Sequence, residues 1–161
     1  FSCLAMFGGD SDHTTWEQIL ERTKRFKNDI THKALDWDLF EAPHHCSWTF
    51  FNDTSEEEPK TTSLEVLDYA RQGAYIIASS KKIINDDDNP PHYDAKKEYL
   101  KKIESKEKFL NTAIEPKESE PKLIIFDITS NGPARKTNQS TSGALTSSGG
   151  SGAASTIISQ G

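Results

Sequence analysis

Three short stretches of the chain carry residue types able to hold a metal ion or move a proton. In Phe7-Gly8-Gly9-Asp10, paired glycines permit a sharp turn that leaves the Asp10 carboxylate exposed at its tip. His44 and His45 stand together in Ala42-Pro43-His44-His45-Cys46-Ser47. Imidazole is the commonest neutral metal ligand and the usual acid–base group near pH 7. His92 follows Asn89-Pro90-Pro91 directly. Each has an ordinary reading beside the chemical one: Asp10 as a turn residue or helix cap, and the histidine pair as polar residues of a loop. His13 reads as a solvated residue just ahead of a helix. Asp86-Asp87-Asp88 lacks the spacing of an EF-hand loop and reads as a solvated acidic turn.

The elements that must position these groups alternate between strand and helix. Phe1 to Phe7 reads as a buried apolar strand, ended by the glycines. Thr14 to Asn28 carries Trp16, Ile19, Leu20 and Phe26 at helical intervals, with Thr14 and Glu17 at capping-box spacing. A second strand runs from Leu35 to Ala42, and Pro43, which cannot donate to a ladder, stops it. Trp48, Phe50 and Phe51 read as core. A helix capped by Thr61 or Thr62 reaches Arg71, with Gly73 as its stop. Ala74 to Ser80 is the clearest strand. Tyr93 to Leu110 reads as one long helix with a lysine-rich face, and Lys122 to Thr129 as a last strand. The order predicts an α/β fold, with ligand-bearing loops at strand tips.

Composition narrows the function classes. The chain has 161 residues, 34% apolar and 27% charged, with a net charge of -6. No global basic field draws it to nucleic acid or an anionic membrane. Cys3 and Cys46 make no disulfide framework and suit a reducing compartment, which points to the cytoplasm. No apolar run has the length of a membrane span. Ser, Thr, Gly and Ala dominate the end of the chain, so residues 131–161 read as a flexible low-complexity tail and residues 1–130 as the folded unit.

Taken together, strand–Gly-Gly-Asp10, strand–Ala-Pro-His44-His45-Cys-Ser47, and strand Ala74–Ser80 leading to Asn89-Pro-Pro-His92 resemble the C-terminal half of a metallo-β-lactamase-fold hydrolase. The branch they resemble contains the hydrolase domain of ComEC-type DNA-uptake proteins. The resemblance covers residues 1 to about 130. It implies half of an αββα sandwich and a centre of two zinc ions. Asp10 would be the bridging carboxylate and His45, or else His44, a ligand of the second ion. Ser47 would be a hydroxyl that supports a metal ligand or contacts a phosphate, and His92 would contact substrate or orient a ligand. The family's His-x-His-x-Asp-His loop and its next histidine lie upstream of Asp10 and are not found here. The resemblance therefore implies that the N-terminal half of the domain is the missing partner, and that this chain is a fragment, inactive by itself. Cys46 stands where the family has glycine, and Tyr93 rather than proline follows His92.

The implied activity is metal-dependent hydrolysis of a phosphodiester or similar ester, on a small-molecule, nucleotide or nucleic-acid substrate. Two other readings stay open. The chain is a non-catalytic interaction module that keeps the fold without a full metal site, or an adaptor using the basic residues between Lys96 and Lys108 against an acidic partner.

Overall fold

A computed structural model describes residues 3–25 and 33–136. It is a mixed α/β fold around a four-stranded sheet in the order β1-β2-β3-β4, with β1 Ala5–Phe7, β2 Trp37–Glu41, β3 Ala70–Ala78 and β4 Phe109–Asn111. Every neighbouring pair is parallel. The helices α1 His13–Arg25, α2 Thr61–Asp68 and α3 Tyr93–Leu100 supply Trp16, Leu20, Val66, Leu67, Ala95 and Tyr99 to the core. In-register Phe40, Ile76 and Phe109 meet them from the sheet. The centre is aromatic: Phe50 and Tyr99 each stand 4.9 to 6.3 Å by ring centroid from one another and from Phe40 and Phe51.

Strand alternation sends Leu39, Glu41 and Ile77 to the opposite face of the sheet. There they floor a cleft of about 1230 Å³, roofed by the segment from Pro121 to Phe126. An antiparallel hairpin, β5 Phe126–Thr129 and β6 Gly132–Arg135, follows that segment. Phe126 packs edge-on against Tyr75, and Arg135 pairs with Glu115. The face is thinly covered, since Phe7 is 77% and Leu123 81% exposed.

Several elements differ from the sequence reading. β1 is an edge strand with Ala5 and Phe7 exposed, not a buried one; residues 1 and 2 lie outside the described residues. The N-terminus of α1 is capped by Asp12, whose Oδ1 accepts from the Thr15 amide and the Thr14 and Thr15 hydroxyls, each at 2.8 Å, in place of a Thr14–Glu17 box. Those bonds pull the Asp12 carboxyl down to a pKa of about 2. Phe26 to Asn28 lie outside the described residues. Thr61 and Thr62 sit inside α2, where Lys60 holds the cap position, and Gly73 lies within β3 at φ 77°. The long helix from Tyr93 ends at Leu100, and Phe109 and Leu110 belong to β4. The hairpin runs through Arg135, past the point where the sequence suggests a tail, and residues 137–161 lie outside the described residues. No helix among the described residues is long and apolar enough to cross a membrane.

Candidate functional site

Because the strands are parallel, their carboxyl ends gather on one edge, where sheets of this type hold ligands. β1 delivers Gly8-Gly9-Asp10 there, β2 delivers Pro43 to Ser47, β3 delivers Ser79 to Lys81, and β4 delivers Thr112. The first two are locked together. The His44 amide donates to the Gly9 carbonyl at 2.7 Å. A side chain at Gly8 would meet Pro43 Cγ at 2.5 Å, so only glycine lets the turns approach this closely. Gly9 takes φ 53°, and the Asp10 carboxylate stands exposed on the same turn.

The histidine turn is built from left-handed residues. His44, His45 and Cys46 take φ of 46°, 57° and 68° in succession. Each such residue costs roughly 1–2 kcal/mol where a Cβ is present. The surroundings hold them there. The Ser47 amide donates to the Pro43 and His44 carbonyls, the His92 amide donates to the Cys46 carbonyl at 2.9 Å, and the Cys46 side chain is fully buried. Backbone strain of this kind collects at functional sites, where the fold offsets it elsewhere.

The two histidines are not equivalent. His45 is exposed, and its Nδ1 donates to the Ser79 carbonyl at 2.6 Å. That bond fixes the tautomer and leaves the Nε2 lone pair available, the arrangement in which a backbone carbonyl orients a metal ligand or a base. His44 is half-buried and makes a long 3.4 Å contact from Nδ1 to the Thr49 hydroxyl. The sequence left the choice between them open; the geometry gives His45 the outward, oriented nitrogen.

Ser47 turns inward. It is 1% exposed, donates to Asn89 Oδ1 at 2.6 Å, and accepts from the Thr49 amide and hydroxyl at 3.1 and 2.9 Å. Its hydroxyl braces the histidine turn, with its hydrogen engaged by Asn89. Asn89 Oδ1 also accepts from the Trp48 amide at 3.0 Å. Asn89 thus ties the two loops together, a role the sequence signalled only through Asn-Pro-Pro ahead of His92. His92 caps α3 through Nδ1, which accepts from the Asp94 amide at 3.2 Å, and its ring lies 5.6 Å from Trp48. With Nδ1 accepting, the neutral ring carries its proton on Nε2. His13 is 6% exposed, contrary to the solvated reading, with Nδ1 at 3.3 Å from the Thr49 carbonyl.

His45 opens on a cleft of about 380 Å³ between Ser79, Lys81, Pro90, Pro91 and Thr112. Asp88 forms an ion pair with Lys81 at the surface, and Asp86 accepts from the Asp88 amide, so the acidic run is engaged locally. Burial raises the Cys46 thiol to a pKa of about 12, which removes it as a thiolate ligand or nucleophile near neutral pH. Among the described residues no group of three or more His, Cys, Asp or Glu is placed to hold a metal ion. Comparison with protein-family models, curated proteins and solved structures finds no match.

Proposed function

We propose that the chain is the C-terminal half of a zinc-dependent hydrolase of the metallo-β-lactamase superfamily, similar to the ComEC-type branch, and that the intact protein cleaves a phosphodiester or similar ester. The observation that carries this reading is the 2.6 Å bond from His45 Nδ1 to the Ser79 carbonyl, which leaves Nε2 open to a ligand, on a turn whose His44 amide is tied to the Gly9 carbonyl of the turn bearing Asp10. In this proposal Asp10 and His45 would be the residues of this chain that hold zinc, and the remaining ligands would come from the N-terminal half of the same domain. That half is also the proposed cover for the apolar sheet face. Zinc, when bound, supplies a hydroxide near neutral pH and stabilises developing negative charge. The chain's own residues do the positioning. Gly8 admits Pro43, Asn89 holds Ser47 and Trp48, and Ser79 sets the tautomer of His45.

The other reading is a non-catalytic module that keeps the layered fold. It is favoured by the apolar face of the sheet, where Phe7 and Leu123 are 77% and 81% exposed. Zinc titration of the chain against a competing chromophoric chelator separates the two. The hydrolase reading expects one weakly bound ion, because Asp10 and His45 fall short of the three or four protein ligands that zinc sites use. Asp10→Ala and His45→Ala each weaken it by about tenfold or more, the loss of one of few ligands, whereas Asp87→Ala leaves it unchanged. Equal affinities in His45→Ala and Asp87→Ala decide for the module.

A further inference from the structure

We propose that the cleft beside His45 is an oxyanion site for the phosphate group of a substrate, with Lys81 as its cation and Asp88 as the counter-ion the phosphate displaces. This deepens the hydrolase reading by assigning where the substrate's anionic group sits. It rests on that reading for its purpose, while the binding itself needs no metal.

The cleft lies beyond the carboxyl ends of β3 and β4, where the last strand residues Ala78 and Asn111 pair. Apart from His45, its lining residues come from the segments that follow two separate strands, β3 and β4. Lys81, whose ammonium is paired with Asp88, lines it together with the hydroxyl-bearing Ser79 and Thr112. The Thr112 hydroxyl is spent only on a long 3.4 Å contact to the Ser80 carbonyl, a bond weak enough to be redirected to a better acceptor. Pro90 and Pro91 form the opposite wall and present no amide hydrogens. The volume, about 380 Å³, exceeds that of a phosphate and leaves room for the group esterified to it.

Charge decides whether an anion can stay. The Lys81 and Asp88 side chains are 59% and 48% exposed, and an ion pair so open to water is held weakly. Its hydrogen bond to Asp88 raises the Lys81 pKa, so the ammonium stays protonated at neutral pH. A phosphate brings more acceptor oxygens and more charge than a single carboxylate, and can take the ammonium and both hydroxyls together. Asp88 thus guards the lysine until such a group arrives. The neighbouring Lys82 is engaged with Glu118 at 2.7 Å and takes no part.

The test is an amide NMR titration of the whole chain with inorganic phosphate, with chelator present and sodium chloride at matched ionic strength as control. The expected result is saturable movement of the amides of residues 79–81 and 112. Lys81→Gln weakens binding roughly fivefold or more, as loss of a charge-assisted contact should. Asp88→Asn tightens it about two- to fivefold by removing the competitor for the ammonium. Both positions are at the surface, so neither variant endangers the fold. Movements reproduced by chloride overturn the proposal. So does Lys81→Gln binding as the native chain does, or Asp88→Asn weakening binding as much as Lys81→Gln. Because no metal is present, this experiment succeeds or fails independently of zinc binding at Asp10 and His45.

Discussion

A methyl group added at Gly8 has nowhere to go, whereas one added at the next position meets nothing within 4 Å. The pair therefore separates crowding from backbone strain. Gly9→Ala keeps the contacts and pays only for a left-handed alanine, about 1 kcal/mol. Gly8→Ala must push back the buried Pro43 ring, and overpacking of this kind costs about 1–3 kcal/mol. It also moves the residues that follow Pro43. Urea melts of both variants, with the His45 imidazole followed by NMR, should show a shifted His45 resonance only in Gly8→Ala. An unmoved His45 in that variant would mean that the turn does not lean on Gly8.

Among the elements, the loop from Asn89 to His92 and the turn from Pro43 to Ser47 behave as one piece, joined by Ser47 Oγ to Asn89 Oδ1, Trp48 N to Asn89 Oδ1 and His92 N to Cys46 O. Asn89→Ala removes the acceptor from a buried hydroxyl and a backbone amide, and should cost about 1–3 kcal/mol. It should also speed hydrogen exchange at the Trp48 amide. Asn89→Asp keeps the acceptor oxygen and should restore slow exchange; fast exchange in both variants would reject the brace. The same linkage shows what was legible in the sequence. The stop at Pro43 and the turn at Gly8-Gly9 follow from the backbone chemistry of single residues, so local reading finds them. The Ser47–Asn89 bond spans 42 positions, and nothing local announces it. β4 escaped notice for a related reason. Leu110 continues the stripe of Tyr99, Leu100 and Ile103 in sequence, but pairing of Phe109 and Leu110 with Ile76 and Ile77 of β3 makes both strand. His13 looked solvated because Thr49, which covers it, lies 36 positions away.

For the whole molecule, the two faces of the sheet have opposite fates. One is sealed by helices, while the other shows Phe7 at 77% and Leu123 at 81% exposure beside a cleft of about 1230 Å³. An apolar surface of this kind marks an interaction site. The folded chain should bind the dye ANS under native conditions, and replacing Phe7 and Leu123 together by lysine should remove most of the signal without changing the urea midpoint by more than about 0.5 kcal/mol equivalent, the usual range for surface substitutions. Dye fluorescence that appears only as the chain unfolds would show the face to be closed. The sheet itself is fastened at its other end, where the buried Asp38 accepts from the Leu4 amide at 2.7 Å and pairs with Arg71 at 2.9 Å, tying β1 and β3 to β2.

A polypeptide selected for endurance alone would place glycine at position 45, where φ is 57° and the side chain is out in solvent. The usual ranking of alanine above glycine should invert there: His45→Gly should melt later than His45→Ala, by about 1 kcal/mol. If thermal denaturation gives that order, and His45→Gly also melts later than the native chain despite losing the bond to Ser79, the imidazole is a residue the fold carries at a loss, and its reason for being there lies outside folding.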